Sequence, residues 1–509
     1  MSKSRLIIIV LSVLILSIFL FGCSQNKDYV SQNTVDDSNG STNTTPGTNG
    51  DTSILPTTGS GDTYYVSTSG SDSTGDGSQT NPWATPGYAS RQLQTGDNLI
   101  ILGGTYILDT YDSDIIIPQN SGTANNPITI KGETGNRPVL AGGDNLLCGI
   151  DLSGISNIRI ENLEMTHNSS ASGSGIYFRD GILIVGSAST NIVLKDLYIH
   201  HIDEFGLNFQ DIDGLEVTDC TIDYCGYGAI GGPAAGVGGG WKNIVISGCS
   251  LSYSGHYYQG GNDARSVYDR PDGIGLEPSN GPIEIKNTTA EHNYGDGLDF
   301  KSANVFIHEC IVANNYADGV KLWGDGTRVV NTLIYGTGDG VGGASPWAGI
   351  VIGTTIQNAD FELTNVTVHD NPSRASYPMY VQYDDPTIPI TLTMTNCIFS
   401  GGQGLIYLAP AVTLAATNNL FNRHNNSTQI QVNGSQLTIS ELNNLSNCSG
   451  NITGDPLFVS EAWGVTGDYN LQSGSPAIDV GTSTNAPSID LSGSTRPQGS
   501  GVDMGCYEN

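Results

Sequence analysis

Apolar and polar positions alternate in short runs, and the runs themselves return at a nearly constant interval. The clearest case is Asp272-Gly273-Ile274-Gly275-Leu276-Glu277, followed by Asp296-Gly297-Leu298-Asp299-Phe300-Lys301 and Asp318-Gly319-Val320-Lys321-Leu322-Trp323, at steps of 24 and 22 residues. Period-two alternation inside a repeat of that length predicts the coil of a parallel β-helix, in which each turn lays one strand over its predecessor and equivalent residues stack. With Ile274, Leu298 and Val320 pointing inward, and with them Leu276, Phe300 and Leu322, alternation sends Gly275, Asp299, Lys321 and Glu277, Lys301, Trp323 outward. Asp272, Asp296 and Asp318 fall at the adjacent turn. One outer face therefore gathers carboxylates, two lysines and a tryptophan.

A second phrase repeats through the body, with apolar residues three apart. It reads Asn157…Ile160…Leu163, Asn191…Leu194…Leu197, Asn243…Ile246…Cys249, Asn304…Ile307…Cys310, Thr327…Val330…Leu333, Asp360…Leu363…Val366 and Thr391…Met394…Cys397, with Cys220 and Leu420 placed in the same column. This predicts at least ten coils between about Cys148 and Ile452. It also explains Cys220, Cys249, Cys310 and Cys397 as small buried hydrophobes standing where other coils have leucine. A disulfide framework is the alternative for an exported chain. The Cys220/Cys225 spacing does not suit a zinc site.

The ends differ from this body. In residues 1–23, Lys3 and Arg5 precede an apolar run from Leu6 to Phe21, the pattern of a signal peptide. Leu20-Phe21-Gly22-Cys23 resembles a bacterial lipoprotein processing site, which implies a diacylated Cys23, a membrane anchor and a chain facing outside the cytoplasm. An uncleaved N-terminal anchor is the other reading. Residues 24–61 are rich in Ser, Thr, Asn, Asp and Gly with almost no large apolar side chains and are expected to be a flexible tether. Residues 62–147 are assigned to an N-terminal cap and first coils, with a short helix over Tyr88 to Gln94 plugging the open end. Residues 148–452 form the helix with the charged face, and residues 453–509 a segment expected to cover the last coil.

Composition agrees with many short strands and tight turns: 67 glycines in 509 residues and only 14% charged residues. The formal net charge of −31 argues against nucleic acid, which needs a basic surface. It equally repels an anionic sugar polymer, so such a substrate would require a bridging cation or a local basic patch. Nothing in the sequence calls for a partner chain, and a monomer is expected.

The step from Cys249 to Thr288 is 39 residues, the longest in the repeat region, and the excess, Gly255 to Pro271, holds His256, Arg265 and Arg270. Insertions in a solenoid map to loops on one face and often build its binding surface. This one leads directly into Asp272.

Three groups of residues carry a resemblance to known families. Tyr64-Tyr65-Val66-Ser67, Gly103-Gly104-Thr105-Tyr106 and Asn126-Pro127-Ile128-Thr129-Ile130 resemble the opening of secreted right-handed β-helix proteins, and Asp455-Pro456-Leu457-Phe458 and Arg496-Pro497-Gln498-Gly499 resemble a C-terminal segment common in bacterial β-helix proteins. Asp296-Gly297-Leu298-Asp299, with Asp272 one coil earlier, resembles the site of family-nine pectate lyases, where calcium lies in a carboxylate pocket around an Asp-Asp-Gly-x-Asp phrase and a lysine is the base. Gly295 stands where that phrase has its first aspartate. The resemblance implies an all-β, right-handed parallel β-helix that cleaves an acidic polysaccharide with Ca²⁺. It implies Asp272, Asp296, Asp299 and Asp318 as metal ligands and Lys321, or second Lys301, as base. Arg265, Arg270, Glu277 and Trp323 are the expected substrate contacts.

That chemistry is physically coherent, because removing the proton beside a uronate carboxylate builds negative charge next to negative charge, and a hard cation offsets it. A lysine near such a cation is expected to have a lowered pKa. Two other classes stay open. Paired carboxylates among Asp296, Asp299 and Asp318 would suit a glycoside hydrolase, and a glycan-binding adhesin would use the same face without turnover. Asp-Gly is also ordinary turn chemistry, and an outward Asp/Lys ladder can be plain cross-strand pairing.

Overall fold

The computed structural model describes residues 53–143, 146–168, 178–257, 271–341, 344–371, 376–382 and 385–509. Its strands stack into three sheets of 14, 13 and 12 strands, and from Ile128–Gly132 to Ile430–Val432 successive strands of the chain fall in turn to the first, second and third sheet. Every pairing within the first two sheets is parallel, as is every pairing in the third except its terminal hairpin. This is a parallel β-helix. The registers Ile274↔Leu298↔Val320, Gly275↔Asp299↔Lys321 and Leu276↔Phe300↔Leu322 reproduce the expected stacking.

The turn between the first and second sheets shows how sequence sets the coil. Asn162, Asp196, Asp219, Asn287, Asn331, Asn365, Asn396 and Asn418 all sit there at positive φ, a conformation that Asn and Asp tolerate better than other L-residues. The residue that follows each of them points into the core: Leu197, Cys220, Val366 and Cys397 are buried. Each buried aliphatic side chain contributes about 1.5–3 kcal/mol. Cys220, Cys249, Cys310 and Cys397 are buried and unbridged, as the stacked-hydrophobe reading requires.

Two coils depart from the expected column. Asn331 and Asn418 occupy the turn, so Thr332 and Asn419 take the inward place, and Leu333 and Leu420 lie one residue further on, in register with the outward-facing Ile311 and Ile398. A one-residue slip reverses the face. Both leucines are nevertheless buried, because residues of the C-terminal segment cover them: Phe458, Tyr469, Leu471, Ala477, Met504 and Cys506 form a second hydrophobic cluster with Leu333, Tyr335, Ile398 and Leu420. The segment thus runs along the flank of the second sheet rather than over the last coil. That end is closed instead by the antiparallel hairpin of Ile430–Val432 and Ser435–Leu437 and by the helix Ile439–Leu442, whose Ile439 and Leu442 join the main core.

At the other end the helix spans Pro86–Ser90, earlier than Tyr88 to Gln94, since Thr85 caps it and Pro86 suits its first turn. Packing against the solenoid also begins before residue 62. Leu55 is buried and its carbonyl accepts from Arg159, while Ser53 Oγ and Ile54 N donate to Glu216 at 2.6 Å each, so residues 53–61 lie against the solenoid instead of extending the tether. Cys23 and the rest of residues 1–52 fall outside the described residues.

Candidate active site

The outward positions of the third sheet carry the charged face, and its turn aspartates form a ladder. The Asp296 amide donates to Asp272 Oδ1 at 2.7 Å, the Asp318 amide to Asp296 Oδ1 at 2.8 Å, and the Trp347 and Ala348 amides to Asp318 Oδ1 at 2.5 and 3.0 Å. Each carboxylate thereby spends one oxygen on the next coil's backbone and keeps the other for the face. Turn chemistry explains the first oxygen only.

The second oxygens meet the strand residues. Asp272, Asp296 and Asp299 each present a carboxylate oxygen, all within 4.8 Å of one another. Lys321 Nζ lies 2.7 Å from Asp296 Oδ2 and 3.2 Å from Asp318 Oδ2, in a site where the lysine is only 5% exposed. Lys301 Nζ lies 2.9 Å from Glu277 Oε1 and 3.7 Å from Asp299 Oδ2. The Trp323 indole N–H donates to Asp299 Oδ1 at 2.9 Å. Gly275 occupies the place that Asp299 and Lys321 hold in the next two coils, and a Cβ there would come within 3.1 Å of Asp272 Oδ2. The absent side chain leaves a recess beside Asp272.

Bringing these carboxylates together under partial cover is electrostatically costly, and their acidities show it. Burial, then the charges of Asp296 and Asp299, hold Asp272 well above the usual carboxylate range. Burial also raises Asp299, although Lys301 works against it, and burial with the neighbouring Asp296 pushes Asp318 up to about 6. Lys321 runs opposite to the expected lowering. Burial alone would depress it, but the carboxylates of Asp296 and Asp318 more than offset that and hold it protonated; Lys301 is likewise raised, by Asp299 and Glu277 against the desolvation.

Asp272, Asp296, Asp299, Lys301 and Lys321 therefore converge as the sequence suggested. Asp318 stands apart from the carboxylate trio, with one oxygen on two amides and the other on Lys321. Glu277 is engaged by Lys301, and Trp323 supports Asp299 while its ring lies over Gly353. Arg265 and Arg270 lie outside the described residues. Sequence reasoning missed Trp347, whose ring lies 5.3 Å from Lys321 Nζ. Its signal was available: the chain between Val320–Leu322 and Ala348–Ile352 is longer than a normal coil, a second insertion on the same face.

Three converging carboxylates, of which Lys321 and Lys301 pair with Asp296 and Asp299 and leave Asp272 unpaired by a lysine, suit a hard cation, and a spread of 4.8 Å lets all three oxygens reach one ion at the usual calcium–oxygen distances of about 2.3–2.6 Å. Asp272, which makes no ion pair among the described residues, and the recess at Gly275 fit that reading.

Several solved structures are similar to the chain. The chain aligns with a crystal structure of the pectate lyase Pel9A at 15% identity, covering 89% of this chain and 98% of that one with a TM-score of 0.48. It aligns with the complex of XylC with xylose at 11% identity, 88% and 99% coverage and a TM-score of 0.56, and with a rhamnogalacturonan lyase at 16% identity, 81% and 97% coverage and a TM-score of 0.40. Of these likenesses the one to XylC has a TM-score above 0.5, and at 11% identity it speaks to architecture alone. No curated protein matches the chain significantly. The sequence profile of the Pel9A-like right-handed β-helix region matches residues 64–342, more than half of the chain and all of the charged face, and the chain belongs to that family.

Proposed function

We propose that this protein is an extracellular polysaccharide lyase, lipid-anchored at Cys23, that cleaves an acidic, uronate-containing, pectate-like polysaccharide by calcium-assisted β-elimination. The observation that carries the reading is the junction of three carboxylates from two coils with a lysine from the third. Calcium held by Asp272, Asp296 and Asp299 would supply positive charge to a uronate carboxylate, lowering the cost of the negative charge that develops at C5. The chain's own residues do the rest. Lys321 accepts the C5 proton, the electron pair forms the C4–C5 double bond, the C4–O bond breaks, and the leaving oxygen takes a proton from solvent. For this Lys321 must first give up its proton, so its pairing with Asp296 and Asp318 has to be relieved on binding. Lys301, more exposed, is the second candidate.

One observation supports hydrolysis as the alternative: Asp272, its acidity pushed well above the usual carboxylate range by burial and by the charges of Asp296 and Asp299, stands beside Asp299, and glycoside cleavage uses a pair of carboxyl groups. The products separate the two. Purified protein would be incubated with a panel of polyuronates, with calcium and with chelator, while ultraviolet absorbance of the unsaturated product is followed. Calcium-dependent absorbance on one polymer is expected. New reducing ends without absorbance would replace elimination by hydrolysis, and neither signal would leave a glycan-binding solenoid.

A further inference from the structure

On the side of the site toward higher-numbered coils the same face opens into a groove of about 530 Å³, lined by Lys301, Trp323, Trp347, Val351, Ile356 and Tyr380 among others. Its character differs from the carboxylate trio beside it. Trp347 is 39% exposed, and Tyr380 continues into Tyr407 on the next coil at a ring separation of 4.7 Å. Strands of a β-helix step by about 4.8 Å, so the aromatic faces extend the site along the helix axis one coil at a time, in line with a polymer lying across the sheet. The charge is as telling as the shape. Among the described residues Lys301 is the sole cation lining this groove, and Glu277 and Asp299 already engage it. The other charged wall residue among those described, Asp385, has its carboxyl held below the usual range by hydrogen bonds from Thr387 and is an anion. A bare uronate placed against the described residues would find no free cation, a carboxylate nearby and mostly apolar walls, and would lose hydration without a partner among them.

We infer that this groove binds an uncharged pyranose of the same polymer, stacked on Trp347 and Tyr380, next to the uronate that reacts at the Asp272, Asp296 and Asp299 cluster. The specificity of the enzyme is then for a chain in which the charged residue is flanked on this side by one carrying no free carboxylate. Two sources present that chemistry, a neutral sugar in a regular copolymer or a uronate whose carboxyl is esterified. The inference rests on the functional reading above only in where it places the reacting residue. Apolar rings with a few fixed polar groups are the usual makeup of a site that recognises a sugar face.

Three polymers test it: a fully de-esterified homopolyuronate, the same polymer partly methyl-esterified, and a regular copolymer of a uronate with a neutral sugar. Each is assayed for double-bond formation and, independently, for retardation of the protein in gels containing it. The expected result is a kcat/KM at least about tenfold higher, and stronger retardation, on one of the last two, with Trp347→Ala and Tyr380→Ala each losing that preference mainly through KM. Preference for the ester alone or for the copolymer alone identifies the source. Equal or better cleavage and retardation on the bare homopolyuronate would overturn the inference. If no polymer yields a double bond, the lyase reading fails while retardation still decides this one: stronger binding to the uncharged-flanked polymers upholds it, and binding led by the bare polymer refutes it.

Discussion

The outer faces of the second and third sheets are built alike and do opposite things. Both expose the alternate residues of a parallel ladder, both through coils of similar length, and both are partly out of water. On the second sheet the outward residues are Leu333, Tyr335, Ile398 and Leu420, and the C-terminal segment lies over them as a lid of Phe458, Tyr469 and Met504. On the third they are Asp299, Lys301, Lys321 and Trp323, and the cover is thin: Trp347 beside Lys321, and an open groove beyond. A solenoid coil therefore fixes which positions face out, but what lies on them decides whether they store stability or perform chemistry. The covered face gains from every atom it buries. The charged face holds carboxylates in a setting that favours their protonated forms, which is the state a cation would relieve.

The sharpest way to break this contrast is to remove function from one face and stability from the other. Lys321→Ala is expected to lower kcat by about 10²–10⁴-fold, as loss of a general base does. Because the same change leaves Asp296 and Asp318 without their cation, its melting curve is to be recorded as well; a loss of rate in a protein that still unfolds cooperatively supports the base, and an unchanged rate would shift the role to Lys301. Leu420→Ala addresses the other face. Its side chain is completely covered, so the truncation is expected to cost about 2–5 kcal/mol in denaturant unfolding while kcat per folded molecule stays the same. A change in kcat would mean that the two faces are coupled.

Calcium provides a third, smaller test. If Asp272, Asp296 and Asp299 hold the ion, calcium at about a hundredfold excess over its Kd stabilises the native protein by about 2.7 kcal/mol. Asp299→Asn, which keeps an oxygen for the Trp323 indole, is expected to abolish most of that gain and to raise stability in the absence of metal, since one of three crowded charges is gone. An equal calcium shift in wild type and variant would place the ion elsewhere.

The sequence made the charged face readable because its residues break a rule: Asp299, Lys301 and Lys321 sit in strands where neither turn chemistry nor core packing asks for them. The inward stacking of Ile274, Leu298 and Val320 was equally plain. The covered face was misread for the converse reason. Leu333 and Leu420 are apolar and fall near the inward column, so the pattern absorbed them one residue out of register, and only the turn residues Asn331 and Asn418 at positive φ correct it. That the C-terminal segment covers a flank follows from the complementarity of two apolar surfaces far apart in sequence, which no local period reports. Trp347 was hidden in the same way as the groove it lines, because an insertion's conformation is not periodic.

Acid should act on the two faces with opposite sign. His369 faces the covered side, 3% exposed, against the rings of Phe458 and Tyr469, and burial lowers its pKa to about 4, with Asp455 pulling weakly the other way. An unfolded histidine binds a proton near pH 6.5, so between about 6.5 and 4 the unfolded chain holds more protons than the folded one at this residue and stability falls as the pH is lowered. Asp318 on the charged face does the reverse: its folded form takes up a proton near 6, well before the unfolded carboxyl does, so lowering the pH through that range favours the fold. Glu461, 3.8 Å from His369 Nε2, tempers the first effect, and a net loss of about 1–2 kcal/mol from His369 is expected. Comparing urea unfolding of wild type and His369→Phe at pH 7 and pH 4.5 isolates it, because the carboxylates other than Glu461 contribute equally to both proteins. The variant should lose less stability on acidification than wild type, and if the two curves fall in parallel the lid is not held by a neutral histidine.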